Sequence, residues 1–324
     1  MVKLFLLIGL VVFFAINMGA SGIAPSFAAV YGAKLIRKNK AIILFSIFVV
    51  LGAIILGRNV SLTLGKNLLP KEFLSFNTVL IIIVSAALSL FLANILKIPQ
   101  STSQVTVGAI TGAGLYFKHL YFKTLLIKII PMWIILPLLA YIFTFLLYRI
   151  IYPPRHGNLY IYEKLFAHDK KIKITGILVS CYVAFAIGSN NVANAVGPLF
   201  GADIVGIMPG LIMVGPLFGI GAILLGEGNM DTAGKEIVPL GVLSSTIVSF
   251  VTATLLIFAS LLGIPQSLVQ LNLCSIFAIS SLKNGHKFTL DSHLAKKTFL
   301  VWAVTPLLSV GVSYLLLFVI SKIG

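Results

Sequence analysis

Acidic residues are scarce in this sequence. Eight Asp and Glu stand among 324 residues, against 24 Lys and Arg. Charged residues make up 10% of the chain, where a soluble protein carries about 25%. So little polar surface cannot cover a large soluble core. Cysteine is scarcer still: Cys181 and Cys274 lie in apolar surroundings, which gives no disulfide framework. The five histidines (His119, His156, His168, His286 and His293) fall mainly in or beside basic connections, without metal-ligand spacing. No apolar run carries a nucleophile–base or metal set, so an intramembrane enzyme finds no support.

What the sequence has is apolar length. Hydrophobic residues make up 59% of it, with a mean hydropathy of +1.09. Ten apolar runs cover about 4–30, 41–57, 76–97, 101–117, 121–151, 174–200, 206–226, 238–263, 266–282 and 298–321. A bilayer crossing needs about 20 such residues. The chain therefore reads as an all-α, polytopic integral membrane protein, expected in the plasma membrane. The net charge of +16 sits largely in short connections such as Arg37-Lys38-Asn39-Lys40, Lys170-Lys171-Ile172-Lys173 and Lys296-Lys297. Cations placed there set orientation and touch anionic lipid, so membrane lipid is the expected partner and nucleic acid is not. A field that draws in an anionic solute is a second effect.

The chain repeats itself. "GASGIAPSFAAVYGAKL" begins at Gly19, and "GSNNVANAVGPLFGADI" begins 169 residues later at Gly188. "LGRNVSLTLGKNL" and "LGEGNMDTAGKEI" align Gly57 with Gly226 and Lys66 with Lys235 at the same spacing. "KIPQS" at 97–101 is answered by "GIPQS" at 263–267, 166 residues on. The polar stretch 152–173 lies between the copies, which gives a first repeat 1–151 and a second repeat 174–324. An odd number of crossings per repeat inverts the second copy, the plan of many secondary transporters. The opening "MVKLFLLIGLVVFFAINMGASG" has the outline of a secretory signal, but it forms half of the repeat and is expected to stay. Orientation is open: Arg37, Lys38 and Lys40 favour a cytoplasmic first connection, whereas loops 58–72 and 227–236 point the other way.

Two polar clusters interrupt the apolar runs. One is Asn190, Asn191 and Asn194, with Ser21 in the matching place of the first copy. Asn190 and Asn194 are four apart, so on a helix they share a face and can aim at one centre. The other is Ser101, Thr102, Ser103 and Gln104 directly after Pro99, with Gln266 and Ser267 after Pro265. Proline ends or kinks the preceding helix, and a hydroxyl after it can cap a new one. Broken helices in a bilayer persist where they line a cavity or are packed in protein, and their free N–H groups attract anions. Discontinuous helices at a central site are therefore expected.

These residues resemble the PiT family of inorganic anion permeases over nearly the whole chain. The family signature, once per half, is approximately Gly-Ala-Asn-Asp-x-x-Asn; here Gly188-Ser189-Asn190-Asn191-Val192-Ala193-Asn194 matches it. Pro99-Gln100-Ser101-Thr102-Ser103 matches the family's Pro-x-Ser-Thr block. The resemblance implies inverted repeats and coupled uptake of phosphate or sulfate, with both blocks lining the substrate and ion sites. The departures are specific. In the first copy Ser21-Gly22 stand where the family has Asn-Asp and Pro25 replaces the second Asn; in the second copy Asn191 stands where the family has Asp, and Leu268-Val269 follow Pro265-Gln266-Ser267. The pattern is most similar to the sulfate permease branch.

Sulfate at neutral pH carries no proton and needs only donors, whereas phosphate keeps O–H groups that favour an acceptor. A carboxylate at the site would repel sulfate. The expectation is a secondary active importer of sulfate working by alternating access, bound by Ser101, Thr102, Ser103, Gln104, Asn190, Asn191 and Asn194. Ser21, Gln266 and Ser267 rank second. No cofactor is expected. The resemblance associates the missing carboxylates with sodium coupling, so the coupling ion is expected to be H+, with Na+ as the alternative. A phosphate symporter and a passive anion channel are the other readings, and a homo-oligomer is an open partner.

Overall fold

A chain this apolar satisfies its backbone within a bilayer by forming helices. The computed structural model describes residues 1–95, 101–154, 156–160, 163, 169–237 and 241–323, and among these no strand occurs. Before the polar stretch 152–173 come α1 (Val2–Gly32), α2 (Lys38–Leu56), α3 (Arg58–Lys66), α4 (Phe76–Ile95), α5 (Thr102–Phe117) and α6 (Ile130–Ile151), the last entered through a π-helical stretch at Thr124–Ile129. From its end onward come α7 (Asp169–Asn191), α8 (Ala193–Gly201), α9 (Ile207–Ile237), α10 (Gly241–Leu261), α11 (Leu268–Asn284), α12 (His286–Asp291) and α13 (His293–Ile323).

The described parts of the expected apolar runs are largely helical. Seven helical stretches among the described residues are long and apolar enough to cross a membrane by length and composition: 2–32, 38–56, 124–151, 170–201, 207–226, 241–261 and 295–322. The helix over 76–91 is a shorter apolar one, and α5 and α11 are half-length helices of 16 and 17 residues. Large apolar side chains such as Ile127, Ile134, Leu178, Met213 and Leu307 stand exposed on the outside, as a lipid-facing surface requires. Two expected loops are helical. Residues 58–66 form α3, and α9 runs on through Ile237. Residues 58–66 hold no proline, and Val60, Ser61, Thr63, Leu64 and Gly65 form a buried stripe at near-helical spacing.

Small residues let the backbones of the two repeats touch. α1 packs along α9, α2 along α7, and α3 along α8. A Cβ on Gly19 would collide with the carbonyl of Phe218, and a Cβ on Gly188 would collide with that of Val49. The same exchange recurs one turn away: Gly221 lies against Ile16, and Gly52 against Phe185. Each contact maps onto its partner when 169 is added to one residue and subtracted from the other. α5 packs along α13 and α11 along α6, and Pro306 of α13 answers Pro137 of α6 at the same spacing. Lys34 and Asp203, also 169 apart, both take left-handed torsions, φ 57° and 53°, just after α1 and α8.

Candidate functional site

Two helix beginnings meet one helix interruption. Ser101 precedes α5 with extended torsions, and its Oγ accepts the N–H of Gln104 at 3.3 Å. Ser267 does the same before α11, accepting the N–H of Gln270 at 3.2 Å. Each cap satisfies one amide of a first turn and leaves others free, with a partial positive charge at the helix end. Between them α7 gives way to α8 at Val192, which keeps right-handed helical torsions of −60° and −34°. Asn190 and Asn194 therefore stay close to the shared face expected for one helix, although a break separates them.

Both asparagines reach Ser103. Asn194 Nδ2 donates to Ser103 Oγ at 3.2 Å and to Thr102 Oγ1 at 3.3 Å. Asn190 Oδ1 accepts from Ser103 Oγ at a long 3.5 Å and from the backbone N–H of Gln266 at 3.0 Å. Asn190 Nδ2 donates to Ser260 Oγ and to the carbonyl of Ile264, each at 3.0 Å. One amide thus joins α5, α7, α10 and the start of α11, and its donors and acceptor are all engaged. The sequence had Asn190 donating to substrate; the structure has it knitting the protein together.

The open valences lie on its neighbours. The hydroxyls of Ser101, Thr102 and Ser267 accept bonds, and none has a bond to donate into among the described residues. Buried amide atoms without a partner there are Gln104 Oε1, Asn191 Oδ1, Asn194 Oδ1, Gln270 Oε1, and both Oε1 and Nε2 of Gln266. A turned amide presents oxygen or N–H at will, so such groups can serve a cation or an anion. Ser101, Thr102, Ser103, Gln104, Asn190, Asn191, Asn194, Gln266 and Ser267 are all buried. No carboxylate joins them: the described acidic side chains, Glu72, Glu163, Asp203 and Asp291, are exposed.

Ser21 does not join the cluster. It is exposed on α1 and donates to the carbonyl of Met18 at 3.1 Å, so its hydroxyl turns back onto its own helix. Pro99 and Gln100 lie outside the described residues. Four participants were not among the expected site residues. Ser260 and Ser189 meet Oγ to Oγ at 2.9 Å, and Ser189 also donates to the carbonyl of Ala186. Trp133 Nε1 donates to the carbonyl of Pro265 at 2.8 Å. Gln270 stands 166 residues after Gln104, a spacing that matches the repeat and could have found it.

Comparison with known proteins gives the family. Residues 18–313 match the Phosphate transporter family. The chain is 39% identical to the sulfate permease CysP of Bacillus subtilis over 319 residues, covering 96% of this chain and 86% of that one. A solved structure described as the sodium-dependent phosphate transporter superposes with a TM-score of 0.86 at 22% identity, covering 100% of both chains. This chain is a multi-pass integral membrane protein that belongs to the Phosphate transporter family.

Proposed function

We propose that the chain imports sulfate as a proton-coupled secondary transporter. The observation that carries this reading is the buried cluster of hydroxyls and amides beneath two helix N-termini, with no described carboxylate in it. An unprotonated dianion finds donors there and no repelling charge. Losing one charge-assisted donor costs about 1.5–3 kcal/mol, more than tenfold in affinity. Ser101, Thr102, Gln104, Asn191, Gln266, Ser267 and the Oδ1 of Asn194 offer the open valences; the Nδ2 of Asn194 braces Thr102 and Ser103, and Asn190 braces the start of α11. The likeness to a sulfate permease supports the substrate.

Alternating access follows from treating 1–151 and 174–324 as inverted copies joined by 152–173. The exchanged glycine contacts, the paired caps at Ser101 and Ser267, and the paired left-handed residues Lys34 and Asp203 support that relation. The substrate would sit between two capped half-helices of opposite repeats, where a rocking of one repeat against the other exposes it to each side in turn.

One observation favours a second reading, coupling to sodium. The unpartnered amide oxygens of Gln104, Asn191, Asn194, Gln266 and Gln270 are acceptors of the kind a hard cation takes. Uptake of labelled sulfate into vesicles, with proton and sodium gradients imposed in turn at fixed membrane potential, separates the two. Accumulation above electrochemical equilibrium that follows the proton gradient and survives replacement of sodium by potassium is expected. Strict sodium dependence selects the second reading. Unlabelled phosphate competing as well as unlabelled sulfate overturns the substrate, and uptake that only equilibrates makes the protein a channel.

A further inference from the structure

The connection between α10 and α11 is gripped from several sides. α10 closes with Gly263 at φ +66°, donating to Ser260, while Ile264 donates back to the carbonyl of Ala259 at 2.8 Å. That double bond is the Schellman closure of a helix end. It turns the chain away from α10, and three carbonyls of the connection meet a side chain from another element. Asn59 of α3 donates to Leu261 at 2.9 Å, Asn190 of α7 to Ile264 at 3.0 Å, and Trp133 of α6 to Pro265 at 2.8 Å. Asn190 then takes the N–H of Gln266.

The repeat mates of Trp133 and Asn190 differ from them among the described residues, where Pro99, the mate of Pro265, is not included. Trp302 stands 169 residues after Trp133, and its Nε1 is buried without a partner among the described residues. Ser21, the mate of Asn190, faces out and bonds its own helix. The two halves therefore share the tryptophan position, and among the described residues only the indole N–H of Trp133 is engaged.

We propose that Trp133 and Asn190 are positioning residues that hold residues 261–267 as a fixed wall of the anion site and so set the affinity that α11 presents. This rests on the site assignment above. Neither side chain has a donor left for the substrate: Trp133 has one N–H, already engaged, and both Nδ2 protons of Asn190 are in use. Their effect runs through Gln266 and Ser267. Removing the indole N–H orphans a buried carbonyl next to Gln266, and the wall relaxes to satisfy it.

The test compares Trp133→Phe with Trp302→Phe in labelled sulfate uptake, each corrected for inserted protein. Trp133→Phe is expected to raise KM about tenfold with Vmax within about twofold. Trp302→Phe, which makes the same change of shape and removes an unengaged donor, is expected to leave both within about twofold. Equal KM values for the two variants, or a fall in Vmax at constant KM, overturns the proposal. Trp302→Phe also leaves Trp133 as the sole indole, since the chain has two tryptophans. Its emission is expected to change saturably with added sulfate, with a midpoint near the uptake KM. If Trp133→Phe fails to insert, this titration decides: an emission blind to sulfate in protein that transports overturns the clamp. Wild type that takes up no sulfate sinks the transport reading instead, so the two failures are distinct.

Discussion

Gly19 lies against the backbone of Phe218, and Gly188 against that of Val49, so two helix crossings use the same positions of the repeat. A few residues further along, the match ends. α7 and α8 carry Asn190, Asn191 and Asn194, whereas α1 carries Ser21, Gly22 and Pro25. Contact between backbones is reciprocal, because a Cβ on either side of the exchange meets a carbonyl that cannot move away. A polar centre is not reciprocal. Asn190 and Asn194 reach both half-helices from the second copy alone. Packing therefore ties the two copies to one pattern, and chemistry leaves one of them free to drift.

The largest effect should fall on the seam. Gly19→Ala and Gly188→Ala are each expected to destabilise by about 3 kcal/mol or more, because the helices must separate to admit a methyl group. Thermal unfolding in detergent, together with the yield of monodisperse protein, measures this. Tolerance at one position and collapse at the other would break the symmetry of the crossings.

Next comes the asymmetry of the centre. Asn190→Leu leaves the carbonyl of Ile264 and the N–H of Gln266 buried and unpaired, and Asn194→Ala frees Thr102 and Ser103. Each should lower sulfate uptake more than tenfold. Ser21→Ala should change it less than about twofold, since the lost bond is local and exposed. Comparable losses at Ser21 and Asn194 would show that the first copy also serves the site. A smaller, sharper change is Asn191→Asp. It places a carboxylate where the family has one, and sulfate affinity should fall several-fold while phosphate becomes a better competitor. Binding titrations with both anions check it. The smallest effect is expected at the exposed ion pair of Lys71 with Asp203, which joins the connection after α3 to that after α8. Asp203→Asn should alter uptake less than about twofold, as surface pairs contribute little and Asn accepts left-handed torsions.

The helices were legible because they rest on local pattern. Apolar length gives the spans, proline followed by serine gives the capped half-helices, and an amide trio in an apolar run stands out at once. The break at Val192 was not legible, since its torsions remain helical and nothing in Val-Ala signals an interruption. Nor was the engagement of Asn190 legible: its partners lie 70 to 87 positions away, and two of the four are backbone atoms, which sequence does not distinguish. Trp133 and Ser260 were overlooked for a related reason. A single tryptophan or serine in an apolar helix ordinarily marks packing. Only alignment of Trp133 with Trp302 across the repeat would have set it apart. Ser21 misled because its alignment with Asn190 is sound while its side chain points elsewhere.

The seam of glycines also has a consequence for synthesis. α1 leaves the ribosome first, yet the backbone it must touch belongs to α9, about 200 residues later, roughly 10–40 s of elongation at ordinary rates. Through that interval the face around Gly19 lacks the α9 backbone it packs against. α2 waits in the same way for α7. The first repeat is therefore an unfinished tenant of the bilayer, and its maturation is timed by the arrival of the second.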